Sequence, residues 1–165
     1  MTELAPFRVR AARLPEDKPA ILGFFTGIQH FEKTIEADRR IDPDVAEDSY
    51  AAMIERVATK NGCVLIAENT SGEAIGWAVG LEDEQEIYIV AEERTHGYIA
   101  ELYVVEDMRG RGVGRALIAA CEEWAKGRAL KVMMIGVLAR NARAHAVYRS
   151  AGFHDYATLL KKYLR

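Results

Sequence analysis

The sequence predicts a mixed α/β fold, and three observations predict it. Short apolar runs of strand length alternate with segments of helical periodicity. A glycine-rich loop, Arg109-Gly-Arg-Gly-Val-Gly114, separates an apolar run from an amphipathic segment, as a strand–loop–helix junction does. Turn chemistry gathers at Asn61-Gly62 and Asn69-Thr-Ser-Gly72, on either side of an apolar run. The order read this way is β-α-α-β-β-β-α-β-α-β. At 165 residues, the usual size of a folding unit makes it one domain, 1–165.

Phe7-Arg-Val-Arg-Ala11 alternates apolar and polar residues and predicts a strand. Asp17 is a candidate N-cap, Pro19 falls in the first turn, and Ile21, Phe24, Phe25 and Ile28 recur at helical spacing. Residues 31–43 are charged and poorly periodic, which predicts a loop or a short helix. Asp44 is placed to cap a second helix, in which Tyr50, Met53, Ile54 and Val57 share a face. Cys63 begins the next strand, with the apolar run Val64–Ala67, and the Asn69–Gly72 turn joins it to Ala74–Val79 as a hairpin. Gly76, inside that second strand, marks a possible bulge. The acidic run Glu82–Glu86 reads as a solvated loop, and Ile87–Val90 is open between strand and insertion. Glu92–Gly97 is a turn into a strand over 98–105. After the glycine loop, Val113, Leu117, Cys121 and Trp124 form one stripe, and Gly127 ends the helix. Val132–Val137 is a continuous apolar run, as in a buried strand. Asn141 opens a helix with Ala144, Val147, Tyr148 and Ala151 facing inward, Gly152 is its natural C-terminal cap, and Tyr156–Leu160 makes a weak final strand.

Half of the residues are hydrophobic, enough for one core, and the net charge is −3. That balance argues against a general nucleic-acid binder, which carries a basic surplus. No apolar run approaches the ~20 residues that span a bilayer, so no membrane partner is expected. Met1–Phe7 lacks a basic region followed by an apolar stretch, which predicts no signal peptide. Cys63 and Cys121 have no Cys-x-x-Cys or Cys/His spacing, which predicts free thiols and a cytoplasmic setting. The four histidines, His30, His96, His145 and His154, have no metal-ligand spacing, so no metal is expected.

The glycine loop is the most informative stretch. Gly110, Gly112 and Gly114 leave backbone N–H groups uncovered, Arg109, Arg111 and Arg115 add positive charge, and a helix follows. Orphan amides and the helix dipole together favour a phosphate or pyrophosphate. The loop is not a P-loop, because no Gly-Lys-Ser/Thr occurs. It is not a dinucleotide fingerprint either, because it reads G-x-G-x-G and lies in the second half of the chain. Taken alone it is equally readable as a structural turn.

Its neighbours add to it. The string Glu101-Leu-Tyr-Val-Val-Glu-Asp-Met-Arg-Gly-Arg-Gly-Val-Gly-Arg-Ala-Leu117 resembles motif A of the GNAT superfamily of acyl-CoA-dependent N-acetyltransferases. Asn141-Ala-Arg-Ala-His-Ala-Val-Tyr148-Arg-Ser-Ala-Gly-Phe153 is similar to that family's N-x-x-A-x-x-x-Y-x-x-x-G-F. The close match covers roughly residues 98–153. The resemblance implies a mostly antiparallel mixed sheet flanked by helices, with a splayed parallel strand pair, 98–105 and 132–137, that holds CoA. It implies that the amides of Arg109, Gly110, Arg111, Gly112, Val113 and Gly114 hold the pyrophosphate, with Arg115 opening the helix. It also implies that Leu102, Tyr103 and Val104 pair with the pantetheine amides, and that the Val104 backbone meets the acetyl carbonyl. Homodimers are common among such proteins, so a homodimer is an expectation.

Direct acyl transfer to an amine needs a base for the ammonium, a donor for the oxyanion and an acid for the leaving thiolate, whose thiol pKa is ~8.5. The resemblance places a tyrosine acid at Tyr148. Asn141, His145 and Tyr148 fall at i, i+4 and i+7, on one helical face. Against this, Tyr148 is readable as a core aromatic with its hydroxyl at the rim. Asn141 caps its helix, bonds the pantetheine arm, or does both. Glu101 is the candidate base, acting through a water, or else a ligand for the substrate ammonium; its bland reading is a solvated strand carboxylate. Tyr98 and Tyr103 flank it as candidate walls of an acceptor site.

The expectation is an acetyl-CoA-dependent N-acetyltransferase acting on a small-molecule primary amine. The alternatives are acetylation of a peptide N-terminus or protein lysine, and a non-catalytic acyl-CoA-binding module. If the run Glu82–Glu86 folds over the acceptor pocket, a polycationic or amine acceptor is favoured.

Overall fold

The computed structural model describes residues 6–164; most of the stretch read for a signal peptide, residues 1–5, lies outside them. Strand β1 (Phe7–Ala11) is followed by helices α1 (Lys18–Lys33) and α2 (Val45–Thr59), then by strands β2 (Cys63–Asn69) and β3 (Ala74–Glu84). A single helical turn, α3 (Ala91–Arg94), leads into β4 (Thr95–Val104). A 3-10 turn (Glu106–Met108), helix α4 (Val113–Gly127), strand β5 (Met133–Ile135) and helix α5 (Ala142–Ser150) complete the order. The sheet runs β1-β2-β3-β4-β5, antiparallel except for the parallel pair β4–β5.

Each face of the sheet buries its own apolar layer. Ile21, Phe24 and Phe25 of α1 and Met53 of α2 pack on Trp77, Val79 and Leu81. Val113, Leu117, Ile118 and Cys121 of α4 pack on the opposite face, against Ala67, Ala78 and Ile99. The α4 stripe thus lies where periodicity placed it, except that Trp124 is only half-buried, standing against Gly80 and under the Arg128 guanidinium. Cys63 and Cys121 are free thiols, the second fully buried.

Several elements differ from expectation for identifiable reasons. Helix α1 runs on to Lys33, into the stretch read as poorly periodic, because Phe31 and Glu32 face a cleft rather than solvent. Asp17 and Asp44 occupy N-cap positions without making a cap bond. Asp17 instead takes two hydrogen bonds from the Arg10 guanidinium, at 2.7 and 2.9 Å, and one from the Arg13 amide at 2.6 Å. Arg10 also pairs with the buried Glu68, and these guanidinium contacts hold the Asp17 and Glu68 carboxyls below their usual range.

Strand β3 continues through the first three of the five residues of the acidic run. Glu82, Asp83 and Glu84 pair with Gly97, His96 and Thr95, so no loop forms there. Their charges are met by bases: Lys60 reaches Asp83 at 2.6 Å and Arg128 reaches Glu82 at 3.0 Å. That corrects the reading of the run as a loop with its carboxylates free for a substrate. Ile87–Val90 belongs to an exposed connection, not a strand. The expected final strand at Tyr156–Leu160 is absent: the segment carries no ladder and stands exposed.

Two bulges shape the sheet. The first leaves Ile75 unpaired between Ala67–Gly76 and Glu68–Ala74, one residue from the glycine where it was expected. The second leaves Ala100 unpaired between Val79–Glu101 and Gly80–Ile99. A bulge bends its strand and steps its side-chain alternation by one. Strand β5 leaves β4 at this bend. Their pairing covers only Gly97–Met133, Tyr98–Met134 and Ile99–Ile135, and the strands part beyond. So the expected strand 132–137 is reduced to three half-buried residues, and a slot opens between 102–104 and 136–138.

Candidate functional site

A cleft of about 160 Å³ lies at the opening between β4 and β5. Leu102, Tyr103 and Val104 form one wall, 136–138 the other, and Asn141, Ala144, Val147 and Tyr148 of α5 close the side. Helix α1 contributes Ile28, Phe31 and Glu32. Arg109 and Gly114 lie at the end toward the glycine loop.

The Ala100 bulge decides what faces what. On the β3 side, Trp77, Val79 and Leu81 share one face, and their partners are Tyr103, Glu101 and Tyr98. Strict alternation would put Tyr98 on the opposite face from Glu101; the extra residue brings all three to the face covered by α1 and α2. Glu101 is half-buried there, and no hydrogen bond or ion pair holds it among the described residues. Burial pushes its carboxyl up to about 7, with Arg56 of α2 pulling it down and the Glu32 charge pushing it up. Tyr103 lies in the aromatic layer, 5.9 Å from Phe24 and 6.5 Å from Trp77 between ring centroids.

Tyr148 sits on α5, edge-on to Phe153 at 6.3 Å. Burial raises its phenol to about 12, with smaller contributions from Glu32 and Tyr98. A phenol shifted this way keeps its proton at neutral pH and can donate it. Asn141 caps α5: its side-chain oxygen accepts from the Ala144 amide at 3.1 Å, which leaves its NH₂ group for the cleft.

The glycine loop carries the backbone that its sequence demands. Gly110 and Gly112 have φ of +76° and +87°, and Gly112 is the N-cap of the 15-residue α4. A Cβ at either position would meet nothing within 4 Å, so glycine serves conformation and access rather than packing. The amides of Gly110 to Arg115 take no backbone acceptor among the described residues. The Arg109 amide does, bonding Glu106 O at 3.1 Å, so the run of free donors begins one residue later than the motif implies. Replacing Gly112 by alanine is expected to lower stability by about 1–2 kcal/mol, the cost of a Cβ at positive φ, measured by denaturant unfolding.

The three loop arginines do different things. Arg109 turns inward: its Nε donates to Val104 O at 2.8 Å, and its guanidinium lies 5.5 Å and 5.4 Å from the Phe31 and Tyr103 ring centroids. It braces the end of β4 instead of facing solvent. Arg111 is exposed, and Arg115 donates to Ser150 Oγ at 3.1 Å, tying α4 to α5. Val113 is buried, so only its amide faces the loop.

Glu32 is the residue that sequence reasoning missed. It lies in the charged stretch 31–43, which predicts a loop or a short helix, and only the continuation of α1 aims it at the cleft. Its charge acts on both Glu101 and Tyr148. Arg39 pairs with it at 2.6 Å, and both side chains are partly exposed. No group of three or more His, Cys, Asp or Glu able to hold a metal ion occurs among the described residues.

Known proteins share this fold. A family model described as "Acetyltransferase (GNAT) family" matches residues 28–153. An aminoglycoside N(6')-acetyltransferase type 1 of Stenotrophomonas maltophilia is 30% identical over 115 residues, covering 68% of this chain and 72% of that protein. Among solved structures, the Bacillus halodurans protein BH1408, in mutant form, superposes with a TM-score of 0.80 at 20% identity, over 96% of this chain and 99% of that one. AAC(6')-Iy in complex with a bisubstrate analogue, CoA-S-monomethyl-acetylneamine, has a TM-score of 0.70 at 18% identity, over 96% and 98% of the two chains. The glycine loop, the split parallel pair and the matched sequence agree: the chain belongs to the GNAT family of acetyltransferases.

Proposed function

We propose that this chain transfers an acetyl group from acetyl-CoA directly to a primary amine of a small molecule. The observation that carries the reading is the slot between β4 and β5, with the free amides of Gly110–Arg115 at its loop end and Tyr148 on its wall; Glu101 does not line it but precedes the lining residue Leu102 on β4. The Gly110–Arg115 amides suit a pyrophosphate, and Leu102–Val104 with the Asn141 NH₂ suit the pantetheine arm. When bound, acetyl-CoA supplies the activated acyl group. Glu101, raised to about 7, holds the pKa of a base at neutral pH and takes a proton from the incoming ammonium, directly or through a water. Tyr148 gives its proton to the departing sulfur and is reprotonated by the second proton, which the nitrogen loses as the amide forms. Glu32 adds a second carboxylate at the mouth, shared with Arg39, and suits a second ammonium where the acceptor is a polyamine.

The relative from Stenotrophomonas maltophilia, named as an aminoglycoside acetyltransferase, supports an amine acceptor as a class. The test is thiol release from acetyl-CoA against a panel of mono- and polyamines, with matched alcohols as controls. Release with amines and not with alcohols is expected, together with a raised acceptor KM in Glu32→Gln at little change in kcat. Acetyl-CoA binding without turnover on any amine would overturn catalysis in favour of a binding module.

A further inference from the structure

Helix α1 carries two glycines about one turn apart, Gly23 and Gly27, and in a helix interior alanine is the more stable choice. Their surroundings differ. Gly23 is exposed, and a Cβ there would meet nothing within 4 Å. A Cβ at Gly27 would lie 2.4 Å from the Tyr103 hydroxyl oxygen and 2.7 Å from its Cζ, far inside van der Waals contact. The Tyr103 phenol therefore rests on the bare backbone of α1, in the space that a side chain would take.

Other side chains hem in the same ring. Phe24 and Trp77, both buried, stand 5.9 Å and 6.5 Å from it between centroids. The Arg109 guanidinium lies between the Tyr103 and Phe31 rings while its Nε holds Val104 O. Tyr103 lines the cleft, and so do Phe31 and Glu32 of α1. The atoms that a Cβ at 27 would meet are the far end of one side chain, so the ring gives way before the helix does. Trp77 is fully buried and fills the core side of the ring, which leaves the cleft as the direction of escape.

We infer that Gly27 is a positioning residue that sets the width of the cleft on its α1 side, by letting the Tyr103 phenol lie against the helix. The inference rests on the reading of the cleft as an acetyl-transfer site. With the phenol drawn back, the space beside Phe31 and Glu32 admits a primary amine carried on a ring or a branched carbon. With a side chain at 27 the ring moves into that space, and only slender, unbranched amines fit. The backbone of Tyr103 stays in its pairing with Trp77, so the strand edge assigned to the pantetheine arm is left in place.

Steady-state kinetics on Gly27→Ala and Gly23→Ala test this, with acetyl-CoA and two acceptor sets, n-alkylamines and cyclic or branched primary amines. Gly27→Ala should raise KM for the cyclic and branched set by about tenfold or more, the usual effect of a methylene-sized change in a pocket. Its kcat and its KM for n-alkylamines should change little. Gly23→Ala should leave both sets unchanged and raise Tm, because alanine is the better helix former. Acetyl-CoA affinity, by calorimetric titration, should be unchanged in both. In a Tyr103→Leu background, Gly27→Ala should no longer move KM, because the displaced ring is gone. If Gly27→Ala alone does not fold by circular dichroism, Gly27→Ala/Tyr103→Leu should fold, and failure of both overturns the inference. An active wild type whose Gly27→Ala variant keeps its KM for branched amines overturns the inference alone. So does a rise in KM that survives Tyr103→Leu, or one matched by an equal rise in the acetyl-CoA Kd. A wild type that turns over no amine overturns the acetyl-transfer reading, and this inference with it.

Discussion

Replacing Tyr148 by phenylalanine is expected to lower kcat for acetyl transfer by roughly 10²–10⁴-fold, the usual contribution of a positioned proton donor. The substitution removes one oxygen and keeps the ring, so the edge-on contact with Phe153 and the wall of the cleft survive. CoA affinity, measured by calorimetric titration, should therefore stay within about fivefold, because a hydrogen bond to one hydroxyl contributes a net ~1 kcal/mol. Loss of rate with retained affinity is the signature of a group that acts in the transition state. Unchanged kcat would remove Tyr148 from the chemistry and leave it as an aromatic of the α5 face. The phenol's upward shift sets the pH behaviour of this arm: at about 12 it remains protonated across the working range, so no fall in rate from Tyr148 is expected below about pH 10.

Glu101→Gln is the second large effect, and it has two signs. Rate should fall by roughly 10²-fold or more, and the rising limb of the kcat/KM–pH profile near 7 should disappear, because the base must be ionised to work. Stability should move the other way. The folded state holds the Glu101 proton more tightly than the unfolded chain does, since burial raises the carboxyl from 4.5 to about 7. Folding therefore takes up a proton between these values, and the protein loses stability as pH rises through that window. Above pH 7 the wild type carries the full cost of an ionised, half-buried carboxylate, whereas glutamine carries none. The variant should have a higher Tm at pH 8 and little advantage at pH 4, by calorimetry at both. A lower Tm at pH 8 would mean that the carboxylate is held by contacts and is not poised as a base.

Such trade-offs are what a site built on a bulge produces. The Ala100 bulge separates β4 from β5, opens the slot, and turns Glu101 and Tyr98 to the same face as Tyr103. No local signal in Tyr98-Ile-Ala-Glu-Leu-Tyr103 announces it. The glycine inside β3 was the visible marker, and the bulge beside Gly76 was indeed near, but the one that builds the cleft carries alanine. Glu32 was illegible for a similar reason. Its neighbours are charged, so periodicity faded just where the helix stops packing on the sheet and starts lining the cleft.

The elements read most accurately were those whose side chains face a single apolar layer. The stripe Val113, Leu117 and Cys121, the hairpin β2–β3 and the cap at Asn141 each follow from spacing or from a side-chain bond to nearby backbone. Charge alone suggests a solvated loop at the acidic run, whereas Lys60 and Arg128 pair two of its carboxylates along a strand. Apolar content alone suggests a weak final strand over Tyr156–Leu160, but the segment stands exposed and carries no ladder.

The sequence by itself determined the family, the α/β class, the glycine loop at the head of α4 and the capped helix that carries Tyr148. All of these depend on residues close in the chain, where φ preferences, capping bonds and helical spacing act locally. Only the tertiary structure decided the surroundings of these side chains: the inward turn of Arg109, the approach of Glu32 to the cleft from α1, and the buried setting that lifts Glu101 to about 7. Those depend on desolvation and on charges brought together from distant parts of the chain, and neither has a local pattern to read.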